Sequence, residues 1–332
     1  MIVDVPTGDD FKAAGIDFLN LAWDIIISLL IKLKEAQDFY EEYYADEDEN
    51  EEISNYYNLP SDEYWKKAQR HLSTALSLTQ QGSEFLLKGH IATVSPYLLL
   101  SGDPNNYPSK SHERDVRFSE FKTIDAQDLI RAYNTVVSCR LPEDFKNKFE
   151  HIRSKRNTIM HTVDLNLSIE ITNLFIEILE ISHYLISPHS WIKYRKDFIE
   201  KEPDSVLYQQ AELTEYNKII YILSREVNLL IGILKPAETR KYFNFDKKQR
   251  RYICPYCYDC AFRKTYLEEG SYEMPRLAQL LPNESASTSV YCLVCSQTSE
   301  VLREDCSNNN CRGNVIDEGY GICLTCGEEL ED

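Results

Sequence analysis

The chain has 332 residues, enough for two or three domains and a substantial core. Its hydrophobic content of 43% and its 11 glycines suit a helical globular protein, while a formal net charge of −18 argues against binding polyanions over the whole surface. The start MIVDVPTGDD is acidic where a secretory leader is basic, and the most apolar stretch, Gly15 to Leu33, is broken by Asp17, Asn20, Asp24 and Lys32. Neither export nor a membrane span is expected, and the expected location is cytoplasmic.

Ile16, Leu19, Trp23, Ile26, Ile27, Leu30 and Leu33 recur at helical spacing and predict a long first helix. The acidic run DEDENEE, Asp46 to Glu52, reads as a solvated loop. Ser61, with Asp62 and Glu63 after it, predicts a helix start; the helix runs toward Gly82 and continues as SEFLLKGHIATV to Pro96. A loop rich in Gly, Pro, Asn and Ser follows Ser101. Asp125 and Asp128 predict a capped helix over IDAQDLIRAYNTVV, Pro142 opens the next one, and Ser168 opens another that Pro188 ends. A last helix is expected over roughly Ser205 to Leu234, with no strands in this part. From Cys254 the sequence gains cysteines and short β-prone pieces, which predict a separate small domain.

The helix after Pro142 ends in RNTIMH, Arg156 to His161. Phe145, Phe149, Ile152, Arg156 and Ile159 fall on one face, so Arg156 occupies an otherwise apolar stripe and is expected to need an anionic partner. Arg153, Asn157 and His161 follow at four-residue steps on a neighbouring face. This inventory suits cleavage of RNA by its own 2′-hydroxyl. Histidine supplies the base or acid, arginine binds the phosphorane, and no metal is needed for the step.

The segment resembles the HEPN nucleases in its arginine, adjoining asparagine and histidine five residues on, and the resemblance extends over roughly Ile16 to Ile186. It implies a mainly α architecture with an antiparallel helical bundle over residues 1–190; by their own composition, residues 191–250 are expected to form a helical extension and basic linker and residues 251–332 a cysteine-rich zinc-ribbon domain. It further implies a metal-independent endoribonuclease whose site, Arg156, Asn157 and His161, is completed across a homodimer. Toxin and antiviral-defence roles occur in that family. The alternative is a non-catalytic dimeric adaptor that binds nucleic acid or a protein through the ribbons.

Nine of the ten cysteines follow residue 253. Cys254/Cys257, Cys292/Cys295, Cys306/Cys311 and Cys323/Cys326 form four close pairs, enough for two structural zinc sites of four thiolates each. Sequential and nested pairings both have workable loop lengths, and Cys260 is left over. The basic stretch from Lys235 to Lys264 interleaves cations with Tyr242, Phe243, Phe245, Tyr252, Tyr256, Tyr258 and Phe262. Together with Arg153, its residues Lys247, Lys248, Arg250 and Arg251 are the expected RNA contacts, with the aromatic rings stacking on bases. The acidic ribbons are expected to face a protein activator or inhibitor.

Overall fold

The computed structural model describes residues 1–44, 61–103, 105, 107–109, 111–161, 168–209, 215–259 and 276–329. The acidic run at 46–52, together with Cys260, Phe262, Arg263 and Lys264, lies outside them. The protein is mainly helical, with a small antiparallel sheet in its cysteine-rich part, and divides into two compact units, Met1–Ser187 and Pro188–Asp332. The helices from Trp191 onward group with the cysteine-rich part.

The first unit is built on two long helices, α1 (Gly8–Tyr44) and α2 (Ser61–Val94). They run antiparallel, since Gly8 faces Gly89, Gly15 faces Gly82, and Tyr64 donates its hydroxyl hydrogen to the Leu29 carbonyl at 2.7 Å. Each glycine pair is seven residues apart, two turns on one side of its helix. A Cβ on Gly82 would stand 2.9 Å from the Gly15 carbonyl oxygen, and one on Gly89 2.9 Å from that of Gly8. The two backbones therefore touch, which only glycine permits. α2 runs through Gly82 without a break, because that residue seats α1 rather than ending a helix.

Leu19, Trp23, Ile26 and Ile27 of α1 meet Leu72, Leu76, Leu86 and Ile91 of α2 in the core. Polar groups at the same depth return hydrogens to their own helix: Asn20 to the Ile16 carbonyl, Thr79 to Ala75 and Ser83 to Gln80. By length and composition, and against expectation, α1 does meet the requirement for a membrane-crossing helix. Packing against α2 covers part of that apolar surface, 39% of the most apolar window being buried.

Against this pair lie α3 (Ala126–Val136), α4 (Glu143–His161) and α5 (Ile171–Leu185). Asp125 precedes α3, yet its side chain caps nothing, and Asp128 pairs with Arg131 instead. α2 grips α5 at both ends. Gln69 bonds both the N–H and the carbonyl of Ile169, at 2.8 and 3.1 Å, and the His90 ring bonds the Leu185 carbonyl at 2.7 Å. α5 thus runs parallel to α2. α4 runs antiparallel to α5, with Phe145 against Tyr184 and Lys148 bonded to the buried Glu180 at 2.7 Å. Two short strands not foreseen in the sequence, β1 (Ile2–Val3) and β2 (Val116–Arg117), pair in parallel.

In the second unit α6 (Trp191–Ile199), which the helical extension expected over 191–250 did not single out, is tied to α8 (Glu215–Ile233) by a doubly bonded Arg195–Glu226 pair in which both side chains are 4% exposed. A buried pair like this is costly to break, because either partner alone would be an uncompensated charge. α7 (Pro203–Gln209) and α8 stand where one helix was expected, and residues 210–214 between them lie outside the description. α9 (Pro236–Phe243) leads into the cysteine-rich sheet of β3 (Ala278–Leu280), β4 (Ser289–Cys292), β5 (Thr298–Leu302) and β6 (Ile316–Asp317), paired antiparallel in that order.

Two substitutions test this account of the first unit. Gly82→Ala is expected to lower stability by about 1–3 kcal/mol in thermal unfolding, because the added methyl group presses on α1. Gly232→Ala, in open space on α8, should be neutral or stabilising by up to about 1 kcal/mol. Equal effects at the two positions would remove the seam argument.

Glu177 of α5 carries a fully enclosed Oε2 without a hydrogen-bond partner among the described residues. Burial pushes its carboxyl up to about 7 from the ordinary 4.5, against the opposing pull of Lys155 and Lys148. The folded chain holds a proton here that the unfolded chain releases, so stability falls as pH rises from about 4.5 to 7 and then levels. Glu177→Gln should therefore gain about 1–3 kcal/mol at pH 8 and little at pH 4. A gain independent of pH would refute this assignment.

Candidate functional site

The most sharply built sites are the two thiol clusters. Cys254, Cys257, Cys292 and Cys295 bring their sulfurs within 4.8 Å of one another, and so do Cys306, Cys311, Cys323 and Cys326. The pairing is sequential. Opposed sulfurs stand 3.6 Å (Cys254–Cys295) and 3.8 Å (Cys257–Cys292) apart in the first cluster, and 3.6 Å (Cys306–Cys326) and 3.9 Å (Cys311–Cys323) in the second. A tetrahedral ion with metal–sulfur bonds of about 2.3 Å needs an edge of about 3.8 Å. Both clusters fit a metal with four thiolate ligands.

Local geometry explains why these residues converge. Tyr252 bridges to Ala278 of β3, and Ala278 stands opposite Cys292 of β4, so the sheet register carries the Cys254 turn to the Cys292 turn. The Cys254 sulfur accepts a hydrogen bond from the Cys257 N–H, and the Cys311 sulfur from the Gly313 N–H. Both close the chain around a ligand. Ser296 and Gly327, directly after the second cysteine of their pairs, take left-handed φ values of 58° and 86°. Four thiols so close cannot all ionise without a cation. Their mutual hydrogen bonds push Cys257 and Cys292 well up and hold Cys295 down, while burial pushes Cys326 up to about 12. A bound divalent metal reverses this by drawing all four to thiolate.

The motif helix α4 shows a different kind of site. Phe145, Phe149 and Ile152 are buried, but the stripe then emerges, leaving Arg156 and Ile159 half-buried and Met160 56% exposed. The expectation that Arg156 is a costly buried charge is corrected by that emergence. Its guanidinium donates to Asn157 Oδ1 at 3.2 Å, and no carboxylate pairs with it among the described residues. Asn157 thus steadies Arg156 rather than His161. His161 ends the helix, exposed and without a partner among the described residues. Arg153 is occupied by Glu150, with both its Nε and Nη2 donating to Oε2 at 2.9 and 2.7 Å. Because α4 opposes α5, this end of α4 lies at the Gln69 end of α2, where Lys66, Arg70 and His71 are exposed.

The basic stretch is engaged mostly within its own unit. Lys247 donates to the Leu234 carbonyl at the end of α8, a favourable place for a cation. Arg250 donates to the Arg312 carbonyl and the Thr325 hydroxyl, and Arg251 lies over the Phe245 ring. Lys248 is exposed, with no side-chain partner among the described residues. The expected stacking platform is overturned for Tyr242, Phe243, Phe245 and Tyr252, which are 2–4% exposed and form the core. Alternating cations and rings looked alike for either role, because only burial separates them.

Comparison of the chain with known protein families, characterised proteins and solved structures gives no match in any of the three.

Metal analysis is expected to find two ions per purified chain. Cys292→Ser and Cys323→Ser should each lose one, from different clusters. The double variant Cys254→Ser/Cys292→Ser should lose one ion and keep the other, and loss of both from it would contradict the sequential pairing.

Proposed function

We propose that the protein is an endoribonuclease of the HEPN type, acting as a homodimer, and that its two thiolate clusters hold structural zinc. The observation that carries the reading is Arg156, partly exposed at the outer end of α4, held by Asn157 and unpaired with any carboxylate among the described residues. A guanidinium without an internal counter-ion is free to take an external one, and the two non-bridging oxygens of a phosphodiester offer it two-point contact.

In this reading Arg156 holds the scissile phosphate and stabilises the charge that builds on it as the 2′-oxygen attacks. Asn157 fixes the orientation of the guanidinium. His161, one turn on and open to solvent, transfers a proton at the 2′-hydroxyl or the departing 5′-oxygen. A partner copy supplies the second histidine, and the exposed Met160 beside the motif gives that contact an apolar element. Lys66 and Arg70 add positive charge at the same end, although the chain as a whole is acidic. RNA contact through Lys248 is compatible with its exposure, whereas Lys247, Arg250 and Arg251 are committed to their own unit.

The adaptor alternative needs Arg156 in a structural ion pair, and the absence of a carboxylate partner among the described residues weighs against it. Four-thiolate sites have no open position for water, so both metals belong to folding rather than to the cleavage step.

The test is an RNA cleavage assay in EDTA with wild type, Arg156→Ala and His161→Ala, each checked for dimerisation and metal content. Wild type should leave 2′,3′-cyclic phosphate ends, and each variant should lose about 100-fold or more in rate while staying folded. Cleavage unchanged in both variants would sink the reading.

A further inference from the structure

Within the second unit a cavity of about 470 Å³ opens between the first turn of α6, the end of α9 and the β3–β4 hairpin. It has the size of a site for a small organic ligand. Its walls are unlike a leftover packing gap, because the polar heads that line it are unspent. Lys193 of α6 is exposed and unpaired, and the side-chain amides of Asn244, Gln249 and Asn283 and the hydroxyl of Tyr291 bond to nothing else among the described residues. By contrast Gln279, on the floor, is fully used, exchanging two bonds with the Asp246 backbone at 3.1 and 2.8 Å.

Charge in the cavity favours an anion. Asp246 is its carboxylate, and it is already satisfied by Arg240 at 2.6 Å and the Lys248 N–H at 3.0 Å. Those bonds hold its carboxyl below the usual range. Arg240 spends one nitrogen on that pair and keeps the rest of its fork, and Lys193 adds a full charge. Next to this cationic side stand the Tyr291 ring and Leu281, an apolar side chain left 50% exposed. Primary amides, with a donor and an acceptor on one head, suit a ring edge that carries both kinds of group.

We propose that this cavity binds a small anion joined to a flat heteroaromatic ring, of the class of nucleoside monophosphates. The anion sits between Lys193 and Arg240, the ring lies against Tyr291 and Leu281, and the three free amides read its edge. The site is separate from the α4 motif and does not depend on what that motif does.

The experiment is calorimetric titration of the full-length, metal-loaded protein with AMP, GMP, CMP and UMP, with the four matching nucleosides, and with inorganic phosphate. At least one monophosphate should bind more tightly than about 1 mM, and its nucleoside and free phosphate at least about tenfold more weakly. Lys193→Glu should weaken that binding at least about tenfold, whereas Lys201→Glu, which reverses an exposed charge outside the cavity lining, should leave it unchanged. Both changes fall on exposed side chains, so folding and metal content are expected to persist. Binding of none of the four, or equal losses in the two variants, would overturn the proposal.

Discussion

Backbone contact between α1 and α2 is the constraint on which the first unit depends. Four glycines, two on each helix and seven apart, let the main chains approach until a methyl group on one would strike a carbonyl of the other. Each glycine costs up to about 1 kcal/mol of helix propensity. Close approach offsets that through dispersion between the backbones and through full burial of the large side chains on either side. Once α2 is fixed, Gln69 and His90 set the height of α5, and α5 sets α4. The placement of Arg156 and His161 is therefore a consequence of packing two helices away.

The second unit is stabilised differently. Its sheet has strands of two to five residues, too short to close a core alone, and its cysteine-rich part leans on two four-thiol clusters. A single enclosed Arg195–Glu226 pair joins two of its helices. Both devices are specific rather than generous. An ion pair and a metal cluster each demand particular partners, whereas apolar packing tolerates substitution.

What could be read from the chain followed from how local each signal is. The cysteine pairs were legible because a knuckle is a few residues of sequence, but the choice between sequential and nested pairing was not. That choice rests on the Tyr252–Ala278–Cys292 register, which is a tertiary fact. The stripe Phe145, Phe149, Ile152 was legible as a helix face, yet the point where it leaves the core, at Arg156, depends on how far α5 extends beside it. α6 was not set apart within the expected helical extension because its apolar residues, Trp191, Ile192, Phe198 and Ile199, are few and separated by charges. The glycines at 8, 15, 82 and 89 were visible as a repeat of seven, and that spacing was the signal available for the seam. Glu177 and the α6–β3 cavity had no sequence signal, since enclosure of a polar atom or of a space is a property of packing alone.

The two thiol clusters differ in how far they are shielded. In the first cluster Cys254, Cys257 and Cys292 are buried and Cys295 alone is partly open, whereas in the second Cys323 alone is buried and Cys306, Cys311 and Cys326 are partly open. Peroxide or a chelator reaches sulfur only where solvent does, so the clusters are kinetically inequivalent although their ligands are identical. An ion held by the second cluster would be the first lost to oxidation, and the ends of the chain segment it gathers, Cys306 and Cys326, would part while the first cluster still held the β3–β4 hairpin. Damage to this unit then proceeds from its C-terminal side inward.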